Sequence, residues 1–264
     1  MNKQRYPTDL HDNEWAVLEE LIPAPASTGR PRRHSYREIV NAIFYVLSNG
    51  TKWRALPHDL PHWKTVYGYF RKWRKTGQWQ TWHTTLRRRL RIKLGRKAEA
   101  SAAVLDSQSI RTAEGGEARG FDVHKHCLGR KRHILVDTLG LLLAVSVTGA
   151  NIQDREGAKE LLSNFYASFV QSFRLKRIWA DAGYQGELIS WAQTAFAWVL
   201  EIVKRDKEQV GFAVLPKRWI VERTFAWFIR NRRLARDFER LPETSEAFIF
   251  IAMIRLMTRR LAKF

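Results

Sequence analysis

Three carboxylates stand out against the residues around them. Asp106 follows Ala102-Ala103-Val104-Leu105, Asp181 follows Ile178-Trp179-Ala180, and Glu222 sits within Arg218-Trp219-Ile220-Val221-Glu222-Arg223. In a chain this basic, acidic side chains in apolar surroundings are the informative ones, and each is a candidate for catalysis. Each also has an ordinary reading. A lone Asp at a strand end usually forms a turn or caps a helix, and a helical Glu beside Arg usually forms an ion pair. Their weight lies in the combination. Arg218, Arg223, Arg230 and Arg233 share the predicted helix of Glu222 and could hold phosphates, or could simply snorkel from an amphipathic helix. Arg130-Lys131-Arg132 reads as a phosphate-contacting loop. Beside it, His124, His126, Cys127 and His133 match no standard zinc spacing. Ser107 and Ser109 have no organised His and Asp partners, which speaks against serine hydrolysis.

The elements that must position these residues belong to a chain of 264 residues, enough for one large domain or two modest ones. Hydrophobic residues at 45% and aromatics at 12% supply a core and exclude wholesale disorder. Lys and Arg total 46 against 26 Asp and Glu, a net charge of +20 that predicts a polyanionic partner. A single cysteine, Cys127, excludes a disulfide framework and CxxC zinc modules. Residues 1–22 lack the apolar stretch of a signal peptide, and no apolar run approaches a membrane span. The expected class is a soluble, intracellular, basic globular protein.

The charge is uneven. Residues 1–100 hold 20 Lys and Arg against 8 Asp and Glu, an excess of +12, which marks a nucleic-acid-facing module. Within it, helices are predicted over 12–22, over 35–49 with a Ser35/Glu38 capping box, and over 62–76, followed by another over 79–97. The third helix places Val66, Tyr69, Phe70 and Trp73 inside and Lys64, Arg71, Lys72, Arg74 and Lys75 outside. Helix, turn and basic helix follow the order of a helix-turn-helix, with a longer connection than the compact motif. Small residues around 98–103 mark a boundary, giving domains over 1–98 and 99–264. Beyond it the pattern is α/β: a short strand into Asp106, a hairpin over 131–148, a helix from Asp154 carrying Leu161, Phe165 and Phe169, a strand ending at Asp181, then a helix, a strand, a long helix over 217–236 and a last helix over 245–261.

These residues resemble a known family. Val104-Leu105-Asp106-Ser107-Gln108-Ser109, Gly129-Arg130-Lys131-Arg132-His133, Val136-Asp137-Thr138-Leu139-Gly140-Leu141, Gly149-Ala150-Asn151-Ile152-Gln153-Asp154, Ala180-Asp181-Ala182-Gly183-Tyr184 and Trp219-Ile220-Val221-Glu222-Arg223-Thr224-Phe225-Ala226-Trp227 look like bacterial insertion-sequence transposases with an Asp-Asp-Glu triad. The likeness is to the insertion-sequence-five group within the insertion-sequence-four superfamily. The amino-terminal part is similar to that group's end-binding module through Gly29-Arg30-Pro31-Arg32, Ile43-Phe44-Tyr45, Trp53-Arg54-Ala55-Leu56-Pro57 and Tyr69-Phe70-Arg71-Lys72-Trp73. The resemblance spans roughly residues 8–240.

It implies an α/β, ribonuclease H-like catalytic domain, a mixed sheet flanked by helices, behind a helical DNA-end-binding domain. Asp106, Asp181 and Glu222 would be both catalytic and metal-holding, with two Mg²⁺ ions (Mn²⁺ as a substitute) serving cleavage and strand transfer. The intervals of 75 residues from 106 to 181 and 41 from 181 to 222 leave little room for an inserted domain. Partners would be double-stranded DNA, as terminal inverted repeats and target, and a second copy of the chain in a homodimer or larger assembly, without membrane, in the bacterial cytoplasm at the nucleoid. Expected DNA contacts are Arg30, Arg32, Arg33 and Arg54, the third-helix residues Lys64, Arg71, Lys72, Arg74 and Lys75, then Arg130, Lys131, Arg132, Arg218, Arg223, Arg230 and Arg233. The superfamily flanks its Glu with a Tyr, an Arg and a Lys. Here Arg218 keeps the Arg position, Leu215 replaces the Tyr, and Ile229 followed by Arg230 stands where the Lys is expected. The rival readings are a catalytically silent DNA-binding regulator and a metal-dependent nuclease without strand transfer.

Overall fold

The computed structural model describes residues 6–23, 32–113, 115–168, 174–203 and 217–264, so that Arg30, Phe169 and Leu215 lie outside the described residues. Helices α1 (Asp12–Glu19), α2 (Tyr36–Asn49), α3 (Trp63–Lys75) and α4 (Gln78–Lys93) come first. Strands β1 (Ala102–Arg111), β2 (Gly120–Asp122), β3 (Cys127–Asp137) and β4 (Leu142–Gly149) follow, then α5 (Asp154–Ser168), β5 (Arg177–Ala180), α6 (Glu187–Phe196), β6 (Val199–Ile202), α7 (Arg218–Ile229) and α8 (Pro242–Leu261).

Two compact units emerge. The first gathers residues 1–96, 229–235 and 247–264; the second gathers 97–228 and 236–246. A single cut near residue 98 therefore misplaces the end of the chain, because most of α8 packs with the amino-terminal helices. The reason is apolar: Phe248 stacks on Phe70 with ring centres 4.9 Å apart, and Phe250 meets His83 edge-on at 5.1 Å. Local chemistry sets the helix ends. Ser35 Oγ accepts the Glu38 N–H at 3.1 Å while Glu38 accepts the Ser35 N–H at 2.9 Å, closing the predicted capping box. Gly50, at φ +70°, ends α2 in the left-handed region. Trp73, Trp79 and Trp82 meet edge-to-face, which locks α3 to α4. The run Arg87-Arg88-Arg89-Leu90-Arg91 is not a uniform basic surface, since Arg87 and Arg91 are buried and Arg89 pairs with Glu20 at 2.7 Å.

In the second unit the sheet runs β2-β3-β1-β5-β6, with β4 also on β3. β1 is antiparallel to β3 and parallel to β5, and β5 is parallel to β6, the expected mixed sheet. Residues alternate between faces. Ala103 and Leu105 of β1 join Leu161 and Leu162 of α5 and Leu188 of α6 in one buried cluster, while Val104 and Asp106 share the lining of a cleft with Val221 of α7. The hairpin between β3 and β4 turns at Gly140 (φ +78°) and is tied to α7, where the Thr224 hydroxyl donates to the Gly140 carbonyl and the Arg223 guanidinium donates to the Leu139 carbonyl, each at 2.8 Å. A Cβ on Gly140 would lie 3.0 Å from the Thr224 hydroxyl, so both backbone angle and space favour glycine there. Among the described residues no helix is long and apolar enough to cross a membrane.

The structure departs from the predicted elements in particular places. β1 continues past Asp106 to Arg111, so Asp106 lies within a strand and not at its end. β2 was not expected. The long helix over 217–236 stops at Ile229, and Arg232–Leu234 forms a separate 3₁₀ turn with Arg233 and Leu234 buried, because Asn231 takes an extended backbone (φ -100°, ψ 114°) that breaks the helical path.

Candidate active site

The parallel pairing of Val104 with Trp179 sets the register of the site. Two residues further along each strand path come Asp106 and Asp181, facing the cleft lined by Val104, Leu105, Trp179, Ala180, Val203, Arg218 and Val221. Asp106 is half-buried, and its Oδ1 accepts the Ser107 N–H at 2.7 Å. Burial pushes its carboxyl up to about 7, the Ser107 N–H opposes the rise, and the neighbouring Asp181 charge adds to it. Asp181 Oδ1 accepts the Gly183 N–H at 2.9 Å, so this carboxylate both caps a turn and keeps its other oxygen towards the cleft. From α7, Arg218 places Nη2 3.6 Å from Asp181 Oδ2 and Nε 3.6 Å from Glu222 Oε1. Glu222 itself is the exposed member, with 62% of its side chain open to solvent. The three carboxylates come from three distant segments, and one guanidinium stands between two of them.

A second acidic pair lies beyond β1. Lys131 Nζ, almost fully buried, sits 2.9 Å from Asp154 Oδ1 and 3.7 Å from Asp122 Oδ2, and donates to the Ile152 carbonyl at 2.8 Å. Ser107 donates to Asp154 at 2.8 Å and Ser109 to Asp122 at 2.5 Å. These serines alternate with Asp106 along β1, so Ser107 holds the strand from its other face. Lys131 and these hydroxyls hold both carboxyls below the ordinary range against the opposing effect of burial. The Tyr184 ring is buried in the same region, and burial beside Asp106 and Asp154 raises its hydroxyl well above 10. The sequence reading gave neither Asp154 nor Lys131 this part; the signal available was the Gly149–Asp154 motif next to the basic run.

Several expected DNA contacts are corrected by their burial. Arg130, Lys131 and Arg132 belong to β3, not to a loop, and are buried. Arg130 donates to the carbonyls of Glu117, Glu239 and Arg240 and pairs with Asp237 at 3.2 Å, which ties distant segments of the second unit together. Arg233 is buried, donates to the Thr51 carbonyl at 3.0 Å and stacks on Phe248. Arg223 lies between Trp219 and Trp227 and holds the hairpin. Arg32, Arg33, Arg54, Lys64, Arg71, Lys72, Lys75 and Arg230 are exposed, and Arg74 and Arg218 are partly so. His133 is a packing residue, bonded to Thr148 at 3.0 Å and lowered to about 4 by burial.

The donor set suits a hard divalent cation in kind, with carboxylate oxygens only, an excess of negative charge, and one cation already drawn to it. Among the described residues no three His, Cys, Asp or Glu side chains are close enough to hold one ion. Arg218 occupies the gap between Asp181 and Glu222.

A mixed sheet with flanking helices, preceded by a helical region, is an α/β architecture of the ribonuclease H-like kind. Residues 97–257 match the family described as "Transposase DDE domain", well over half of the chain, and residues 10–83 match "Putative transposase of IS4/5 family". The chain belongs to the DDE transposase family, as an insertion-sequence transposase of the IS4 kind, a family that generally uses a divalent metal. It is 34% identical over 125 residues to a Burkholderia cepacia protein named "Putative transposase for insertion sequence element IS402", covering 46% of this chain and 59% of that one. It is also 31% identical over 121 residues to the "Insertion element IS402 uncharacterized 16.2 kDa protein" of the same organism, covering 42% and 78%. No solved structure matches the chain.

Proposed function

We propose that this transposase binds the terminal inverted repeats of its element and catalyses Mg²⁺-dependent DNA cleavage and strand transfer, with Asp106, Asp181 and Glu222 as the metal-holding catalytic residues. The observation that carries the reading is the convergence of Asp181 and Glu222 on Arg218 at 3.6 Å, with Asp106 beside Asp181 in the same cleft. Bound divalent ions would supply stabilisation of the attacking and leaving oxygens of an in-line displacement at phosphorus. The protein's own groups prepare that site. The Ser107 and Gly183 N–H groups orient Asp106 and Asp181, and the hairpin ties of Arg223 and Thr224 fix the helix that carries Glu222. Arg218, partly exposed at the cleft, is placed to meet a phosphate once the carboxylates have another cation. The exposed basic residues of the first unit, Arg32, Arg33, Arg54 and those of α3, hold the DNA ends, and two ends require two copies of the chain.

An end-cleavage assay tests this. Wild type, Asp181→Asn and Glu222→Gln would be mixed with labelled duplex from the ends of the encoding element, in Mg²⁺ or EDTA. Mg²⁺-dependent nicking at the repeat boundary, lost in both variants while binding persists, is the expected result. Nicking retained by either variant would overturn the assignment of the triad. Repeat-specific binding without cutting under any divalent metal would favour the silent regulator.

A further inference from the structure

The helix α3 contains a glycine that its own fold does not require. Two glycines lie inside the described α-helices, Gly68 in α3 and Gly157 in α5. Gly157 has a packing reason, because a Cβ there would come within 2.1 Å of the His133 ring. Among the described residues a Cβ on Gly68 would meet nothing within 4 Å, and its φ lies outside the left-handed region. Glycine inside a helix is less favourable than alanine because it loses more backbone freedom on folding. Among the described residues no neighbour accounts for the choice, which leaves a bare spot open to whatever approaches this face from outside.

The surroundings of Gly68 say what that is. At about 100° per residue, Lys64, Gly68, Arg71 and Lys75 fall within an arc of about 60°, with Lys72 at its edge. Val66, Phe70 and Trp73 take the opposite, buried side. Lys64, Tyr67, Arg71, Lys72 and Lys75 are exposed, and no acidic residue occurs anywhere in the helix. The bare spot thus sits at the centre of a wholly cationic face. A helix with its side chains is about 10–12 Å across and the DNA major groove about 12 Å wide, so the central residue of an inserted helix is where space is shortest.

We infer that α3 enters the major groove of the element's end DNA with Gly68 at the point of closest approach to the base edges, the flanking cations gripping phosphates on either side. This rests on the proposed end-binding role of the first unit and deepens it by naming the depth-determining residue. Phosphate contacts hold any duplex, whereas base-edge contacts depend on depth. Gly68 therefore governs specificity more than overall affinity.

The test uses the full-length chain, with duplexes from the ends of its encoding element and a scrambled duplex of the same composition. Gly68→Ala should raise Tm by about 2–4 °C, since helix propensity improves on an open face. It should weaken end-duplex binding about tenfold and leave scrambled-duplex binding unchanged. Arg71→Ala and Lys72→Ala should weaken both duplexes, each lowering the slope of log K against log salt by about one. If Gly68→Ala binds end DNA as wild type while the cation variants lose affinity, the close approach is wrong although α3 still faces DNA. If the cation variants bind unchanged, α3 is not the DNA surface and both readings fall. A lower Tm for Gly68→Ala would mean that the glycine serves the fold, which also overturns the inference.

Discussion

Four acidic side chains among the described residues lie on or beside β1, and their partners divide them into two pairs. Asp122 and Asp154 share the buried Lys131 ammonium and two serine hydroxyls, so their charge is neutralised within the fold. Asp106 and Asp181 lie side by side; Arg218 stands 3.6 Å from Asp181 and, with Lys125, favours the charged form of Asp106 against its burial. The first pair is neutralised within the fold, whereas burial and the neighbouring Asp181 charge make an ionised Asp106 costly. Opposite responses follow. Asp154→Ala leaves Lys131 with a carboxylate at 3.7 Å and a carbonyl, and should destabilise the second unit by about 2–3 kcal/mol. Asp106→Asn removes a desolvated charge beside another carboxylate and should stabilise by about 1–2 kcal/mol while abolishing cleavage. Urea melts of the two variants check the signs; a destabilised Asp106→Asn would show that its carboxylate is structurally satisfied. Asp106 and Asp181, which the fold brings to one cleft, stood out in the sequence because an Asp closing an apolar run is conspicuous in a basic chain. The role of Arg130-Lys131-Arg132 was not legible, because what buries them lies elsewhere: the Arg240 carbonyl is 110 positions away and the Ile152 carbonyl 21.

Elements whose ends are set by neighbouring residues could be read directly. The Ser35/Glu38 box and Gly50 bound α2 by local hydrogen bonds and backbone angle, and the period of Val66, Phe70 and Trp73 gives α3. β1 read too short because Ser107 and Ser109 look like loop residues, although in the fold they donate across to acids while their backbones pair with β3. β2, three residues long, carries no pattern to detect. One element contact gives a pH prediction. Glu246 of α8 accepts the Val147 N–H of β4 at 2.9 Å, and burial, with Glu243 and Glu160 nearby, raises it from 4.5 to about 7. A raised folded-state value means that the folded state holds its proton more tightly between 4.5 and 7. The resulting stability is complete below about 4.5 and is lost as pH rises through about 7. Glu246→Gln should therefore be more stable than wild type at pH ~8, by about 1–2 kcal/mol after allowing for solvent screening, and equal to it near pH ~4.5. Denaturation at both pH values decides, and a difference that does not change with pH would count against it.

At the scale of the whole molecule, charge and connectivity pull the sequence reading in different directions. The excess of +12 within residues 1–100 does coincide with an all-helical unit, and α3 displays part of it on an open face. The unit itself is discontinuous, and this could not be read from composition, because α8 is an ordinary amphipathic helix until its partners are known. In the fold, Phe248, Ile249, Ile251, Met253, Ile254 and Met257 are all at most 1% exposed. Phe248 stacks on Phe70, Arg255 bonds Ser48, Arg259 pairs with Glu14 at 3.4 Å, and the Asn13 amide donates to the Ala262 carbonyl. At about 1.5–3 kcal/mol for each buried side chain, these six contribute on the order of 10 kcal/mol, as much as a typical domain's entire stability. A fragment of residues 1–98 should therefore keep helical signal yet melt without cooperativity and bind end DNA poorly. The same fragment joined through a flexible linker to residues 229–264 should recover a sigmoidal melt and its affinity. Cooperative unfolding of 1–98 alone would refute this. If the prediction holds, a truncation of the last helix disables end binding without touching one DNA contact, because α8 supplies the core on which α3 rests.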